Sequence, residues 1–156
     1  MKILLCQSSP KVNQIRHNAD IILSALQRGI NADVDVILMP SFITTGYPPN
    51  LEDPIIWHQQ KSSANHLSKL IKRSGKKITL IYGGVEEDEG LCKYARRYNV
   101  AYVVNDQGAR TVRKQLLPTY DVFNEAKYFH PGEKNSEPIP IQLNDGTTQF
   151  CNILIC

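Results

Sequence analysis

Val34-Asp35-Val36-Ile37-Leu38-Met39-Pro40 is the stretch from which the fold is read. The run is mostly apolar, has no helical period and is stopped by Pro40, so it reads as a strand. Upstream, Ile15, Ala19, Ile22, Leu23, Leu26 and Ile30 recur at helical spacing, with Gly29 loosening the last turn. Before them residues 2–7 form a short apolar run ended by Ser8-Ser9-Pro10, which reads as a buried strand. Strand, helix and strand make a β-α-β unit, and the connection expected is a right-handed crossover between parallel strands.

Downstream, residues 40–56 are a loop dense in Pro, Gly, Thr and Ser, expected at the carboxyl end of a strand. Residues 57–72 are helical, with Trp57, Ala64, Leu67, Leu70 and Ile71 facing inward. A third strand spans 77–82, followed by Gly83-Gly84 and then by an acidic turn at 86–90. Residues 100–104 and 109–112 flank Asn105-Asp106-Gln107-Gly108, a hairpin signal. An irregular stretch, 115–138, precedes two strands at 139–143 and 149–155, joined by Asn144-Asp145-Gly146. The pattern predicts an α/β protein with early parallel strands, later antiparallel ones and helices on one face, in one domain over 1–156.

The 156 residues suffice to bury a core, and the composition, 42% hydrophobic and 21% charged, is that of a globular chain. A net charge of +3 is too small to point to nucleic acid. Basic residues bunch at Lys69, Lys72, Arg73, Lys76 and Lys77 and again at Lys93, Arg96 and Arg97, as a solvated helix face or a phosphate-binding patch. No apolar run is long enough for a membrane span, and the N-terminus reads as a strand rather than a signal peptide. Cys6, Cys92, Cys151 and Cys156 are irregularly spaced, and His17, His58, His66 and His130 are scattered singly. Neither a disulfide framework nor a metal site is expected, and the cytoplasm is the expected compartment.

Three segments carry residue types that suggest chemistry. They are residues 39–49 after the second strand, 113–132, and the apolar strand Cys151-Asn152-Ile153-Leu154-Ile155-Cys156, which delivers a thiol at its end. Singly, each has an ordinary explanation: a rigid Pro-rich turn, a solvated lysine, a small core cysteine. Together, a loop after a strand, a Lys before Leu117-Pro118-Thr119-Tyr120, and a strand ending in Ile155-Cys156 are similar to the nitrilase, or carbon–nitrogen hydrolase, superfamily. The stretches Thr45-Gly46-Tyr47-Pro48-Pro49 and Leu117-Pro118-Thr119-Tyr120-Asp121-Val122-Phe123-Asn124-Glu125 are more particular. With Cys6-Gln7-x-x-Pro10 and Tyr98-Asn99, they resemble the glutaminase domain of glutamine-dependent NAD synthetase.

That resemblance covers nearly all of the chain and implies the N-terminal part of a four-layer α-β-β-α sandwich with a mixed sheet, truncated at the nucleophile. It implies glutamine amide hydrolysis through a thioester, with Cys156 as nucleophile, Lys114 as stabiliser of the oxyanion, and Tyr120, Phe123 and Glu125 lining the glutamine pocket. Position 41, where the family carries its glutamate base, holds Ser41, and a hydroxyl cannot take a thiol proton near neutral pH. With Cys156 as the last residue, its α-carboxylate is expected to raise the thiol pKa, and the next backbone N–H, an oxyanion donor, to be lacking. Impaired or absent activity is therefore expected of this chain. Glutamine is the implied substrate, and a synthetase domain or a second copy the implied partner. The glutaminase step needs no cofactor, since ATP and deamido-NAD belong to a synthetase domain whose ATP-pyrophosphatase loop is not found in this sequence. A non-catalytic interaction module of the same fold is the rival reading. A flavodoxin-like nucleotide binder gains little, because Ser8-Ser9-Pro10 stands where a Gly-rich loop is needed.

Overall fold

The computed structural model describes residues 1–49, 51–52, 54–88, 96–120, 124–133 and 137–155. In chain order they form β1 (Ile3–Leu5), α1 (Ile15–Asn31), β2 (Val36–Leu38), α2 (Pro54–Ser74), β3 (Thr79–Asp88), β4 (Arg96–Asn105) and β5 (Gly108–Arg113). A 3₁₀ turn at Glu125–Lys127 and the hairpin β6 (Ile139–Gln142) and β7 (Thr148–Cys151) follow. The first five strands make one sheet in the order β1-β2-β3-β4-β5, parallel through β3 and antiparallel beyond it. The mixed α/β architecture expected from the sequence is the one found.

Alternation along β3 and β4 sorts the core into two faces. Leu80, Tyr82, Tyr102 and Val104 pack with Ile22, Leu26, Leu67 and Ile71 of the two helices. Ile81, Ala101 and Val103 point the other way, against Ile139, Ile141 and Leu143 of the small second sheet. The result is a helix layer, a five-stranded sheet and a two-stranded sheet. Gly29 has a sharper reason than a loosened turn: a Cβ there would lie 2.3 Å from Ile37 Cδ1, so its bareness lets α1 settle on β2.

Three readings need correction. β1 is not buried: it is a three-residue edge strand with Ile3 46% and Leu5 68% exposed. β3 does not stop before Gly83-Gly84 but runs through both, so Glu86–Asp88 is strand rather than acidic turn, paired with Tyr98, Arg97 and Arg96. Glu89 and Gly90 lie outside the described residues, as do Cys92 and Lys93. The seventh strand closes at Cys151, and Ile153 and Ile155 continue to pack on the second core without a ladder. Among the basic residues, Lys76 meets Asp33 at 2.6 Å, Lys77 meets Asp106 at 2.5 Å, and Arg97 meets Glu87 at 3.4 Å. Among the described residues no helix is long and apolar enough to cross a membrane.

The two sheets are clasped by Asp35. Its carboxylate accepts the Lys2 N–H at 2.6 Å and the Asn144 backbone N–H at 2.8 Å, and the Asn144 side chain also donates to Val34 O. Burial works to raise the Asp35 pKa, but the N–H groups of Asn144 and Lys2 outweigh it and hold the carboxyl below its ordinary value. A carboxylate with a lowered folded pKa stabilises the fold in full above its unfolded value, about 3.9, and loses that contribution as pH falls through the folded value. Asp35→Asn is therefore expected to lower stability at pH 7 and to flatten the fall in urea midpoint on acidification below about pH 4. A variant whose midpoint falls as steeply in acid as the wild type's would refute the clasp. Gly83 supplies a second test. A Cβ there would lie 2.4 Å from Ser41 Cα and 2.6 Å from Phe42 N, both backbone atoms that no rotamer change can move. Gly83→Ala is expected to cost about 1–3 kcal/mol by overpacking, read as a lower unfolding midpoint; an unchanged midpoint would count against the close approach.

Candidate functional site

The candidate site is where the loop after β2 meets the loop after β5. β5 ends at Arg113, whose guanidinium lies 3.9 Å from the Tyr98 ring centroid and binds Glu86 at 2.6 Å and Asp88 at 3.1 Å. That anchorage sets the next residue. Lys114 donates its backbone N–H to Asn99 O at 2.8 Å, and its carbonyl accepts the Gly132 N–H at 2.8 Å. The loop between them is tied at Glu125, whose N–H donates to Pro118 O and whose carbonyl accepts from Phe129. The chain thus returns on itself and places Glu125 beside Lys114.

Lys114 Nζ lies 3.0 Å from Glu125 Oε1, and each residue is only 4% exposed. The second carboxylate oxygen accepts Asn99 Nδ2 at 3.1 Å. Asn99 comes from β4 and is 1% exposed, and its Oδ1 has no hydrogen-bond partner among the described residues. A lysine ammonium has three donors, of which Glu125 takes one, leaving others to meet a developing negative charge. Asn99 entered the sequence reading only with Tyr98 as part of the resemblance, and no role at the site was assigned to it. Its signal was a polar side chain at an inward position of an otherwise apolar strand, next to Val100 and Ala101. Glu125, expected to line a substrate pocket, has both oxygens engaged inside the protein.

The loop after β2 closes against this pair through aromatic contacts. Phe42 packs on Tyr47 and Phe129 at centroid distances of 5.2 and 5.8 Å, with Val85 and Ile56 in the same cluster. Burial first, and then the negative charge of Glu125, push the Tyr47 phenol above its usual pKa. Ser41 is exposed and lies over Gly83. Gly83 pairs with Ala101, and Val85 with Asn99, so Ser41 stands on the sheet face that carries Asn99. Tyr120, by contrast, is 68% exposed. Phe123 and Cys156 lie outside the described residues. Among the described residues no group of three or more His, Cys, Asp or Glu could hold a metal ion.

Three comparisons bear on this arrangement. The carbon-nitrogen hydrolase family matches residues 2–156. The chain is 30% identical over 135 residues to a glutamine-dependent NAD(+) synthetase of Acinetobacter baylyi, covering 86% of this chain and 24% of that protein. It is 28% identical over 151 residues to the Synechocystis enzyme of the same name, covering 94% of this chain and 26% of that one. Among solved structures, the glutamine-dependent NAD+ synthetase of Acinetobacter baumannii superposes with a TM-score of 0.78 at 27% identity, over 99% of this chain and 27% of that one. The chain thus spans about a quarter of the length of these relatives.

Removing one partner of a buried ion pair strands the other charge, which costs about 3–5 kcal/mol. Glu125→Ala and Lys114→Ala are each expected to lose that much in urea unfolding. The apolar double variant Lys114→Met/Glu125→Leu is expected to recover most of the loss. Additive losses in the double variant would mean that the two groups do not interact.

Proposed function

This chain belongs to the carbon-nitrogen hydrolase family, and from that membership we propose that it is a glutaminase-type module that handles the side-chain amide of glutamine for an ammonia-consuming synthetase domain. The observation that carries the reading is the buried Lys114–Glu125 pair with Asn99 behind it. A fixed cation in a site screened from water is what an amide's tetrahedral intermediate requires, because charge then develops against a donor that needs no reorganisation. In the proposed reaction Cys156 Sγ attacks the amide carbon, the carbonyl oxygen becomes an oxyanion met by Lys114 Nζ, and the C–N bond breaks. Ammonia leaves with the proton surrendered by the thiol, and water then cleaves the thioester to glutamate. Glu125 acts on this step through Lys114, holding the ammonium in place rather than touching glutamine. Tyr120 and Phe123 are proposed to contact the glutamine.

Ser41 limits this chemistry. A carboxylate at that position can accept the thiol proton, whereas a serine hydroxyl cannot do so near neutral pH. General-base help is worth about 10²–10⁴ in rate, so the proposed glutaminase is impaired by its own sequence. The same substitution favours a second reading, in which the fold binds without turning over.

Two measurements separate these readings. Ammonia release from glutamine by the 156-residue chain is expected at background, and turnover that disappears in Cys156→Ala would overturn the impairment. Glutamine is expected to protect Cys156 saturably from iodoacetamide, with protection weakened in Tyr120→Ala. Absence of any protection would reject a glutamine site and leave the scaffold reading.

A further inference from the structure

The segment 128–132, conspicuous in the sequence for its aromatic, proline and glycine residues, is not used by the chemistry above. It leaves the 3₁₀ turn at Glu125, whose carbonyl accepts the N–H groups of Tyr128 at 2.9 Å and Phe129 at 2.8 Å. The buried Phe129 packs on Phe42 of the loop after β2. His130 then donates its backbone N–H to Arg97 O on β4 at 2.7 Å, and its ring lies 6.1 Å from that of Tyr98. Gly132 donates to Lys114 O at 2.8 Å, and Gln115 Nε2 ties the next residue by donating to Glu133 O at 3.0 Å.

These bonds close a circuit. Residues 125–132 meet Lys114 twice: Glu125 Oε1 accepts from its ammonium at 3.0 Å, and Gly132 donates to its carbonyl. The Lys114 N–H is held meanwhile by Asn99 O at 2.8 Å. Ammonium and backbone are thus gripped by one segment, which His130 pins to β4 on the way. A lysine ammonium sits on a flexible four-carbon stem. One that has to wait at a fixed point for developing charge must therefore be held at both ends.

Gly132 is the point at which this grip depends on the sequence. Its φ lies outside the left-handed region, so the backbone conformation does not call for glycine. Space does. A Cβ there would stand 2.5 Å from Arg113 Cβ and 2.7 Å from Arg113 O, and the second is a backbone atom that no rotamer change can move. Carbon contacts are ordinary from about 3.5 Å outward, so a side chain would lift the segment by about 1 Å. The Gly132 N–H would then draw away from Lys114 O, and Glu125 at the other end of the segment would be carried with it. We infer that residues 125–132 form a brace that sets the ammonium of Lys114, with Gly132 as its positioning residue. The purpose of the brace, to aim Lys114 at the oxyanion, rests on the glutaminase reading; its geometry does not.

The test follows the side-chain N–H signal of Lys114 by NMR of the 156-residue chain carrying nitrogen-labelled lysine, assigned by its loss in Lys114→Arg. A buried, hydrogen-bonded ammonium exchanges slowly with water, so the unaltered chain is expected to show this signal. In Gly132→Ala it is expected to shift and to exchange about tenfold faster, the effect of one lost charge-assisted hydrogen bond. Gln115→Ala cuts the tie to Glu133 O from a partly exposed position. It is expected to move the signal the same way by less, and it serves if Gly132→Ala does not fold. Gly29→Ala is the control for overpacking alone, since its Cβ would stand 2.3 Å from Ile37 Cδ1 between α1 and β2. It is expected to lower the unfolding midpoint and to leave the Lys114 signal in place. The brace is refuted if the unaltered chain shows no protected signal, if Gly132→Ala (or Gln115→Ala in its stead) leaves it unchanged, or if Gly29→Ala moves it as far. Glutamine protection of Cys156 in the unaltered chain keeps the two readings apart. A responsive Lys114 signal without protection upholds the brace and rejects the glutaminase reading, and protection with an unresponsive signal does the reverse.

Discussion

A lysine and a glutamate held 3.0 Å apart with almost no exposure set the terms for the rest of this structure. Neither charge could be buried alone, since an unpaired ion in the interior costs far more than one contact returns. The pair must therefore be assembled from parts of the chain that are already fixed. Asn99 is fixed by the β3–β4 ladder, Lys114 by its backbone bond to Asn99, and Glu125 by a loop closed through Pro118, Phe129 and Gly132. The salt bridge between Arg113 and Glu86 and the stacking of that arginine on Tyr98 hold the strand end from which Lys114 departs. The aromatic cluster of Phe42, Tyr47 and Phe129 brings the loop after β2 against the same segment, since Phe129 donates its N–H to Glu125 O.

The sheet separates two chemistries. On one face stand the charged pair, Asn99 with an oxygen unpartnered among the described residues, and Ser41 over Gly83. On the other, Thr44, Gln60 and Tyr82 are among the residues lining an apolar cleft between the two helices. The adjacent glycines at 83 and 84 belong to both. Alternation points one to each face, and each leaves room for what crosses above it: backbone at Gly83, side-chain oxygens at Gly84. A pair of glycines that looked like the end of a strand is a strand thinned on both sides.

Much of the fold was legible because periodicity reports burial directly. The helix from Ile15, the strand before Pro40 and both hairpins follow from spacing and turn residues alone. The failures have physical reasons. β1 looked buried because its residues are apolar, yet apolarity does not say whether a neighbouring layer covers a strand. β3 was cut short because glycine is a poor strand former in isolation, while here the requirement for close approach overrides propensity. At the site, Lys114 and Glu125 were both singled out, and Ser41 was recognised as a departure. Their pairing was not legible: residues eleven apart in an irregular loop have no period that brings them together. A role for Asn99 was not legible for a related reason, since its partner Glu125 stands 26 residues further on, in an irregular loop beyond the next strand.

The Asp35 clasp has a consequence in time as well as in space. Asp35 and Asn144 are 109 residues apart. A ribosome adding about 5–20 residues per second needs roughly 5 to 20 s to cross that interval. Throughout it the strand holding Asp35 has already emerged while its mate does not yet exist. The α1–β2 unit can collapse early, since its contacts are local, but the second sheet can dock only at the end of that wait. Nascent chains of this protein therefore pass through a stage with one face of the main sheet uncovered, a stage that depends on translation speed rather than on the stability of the finished molecule.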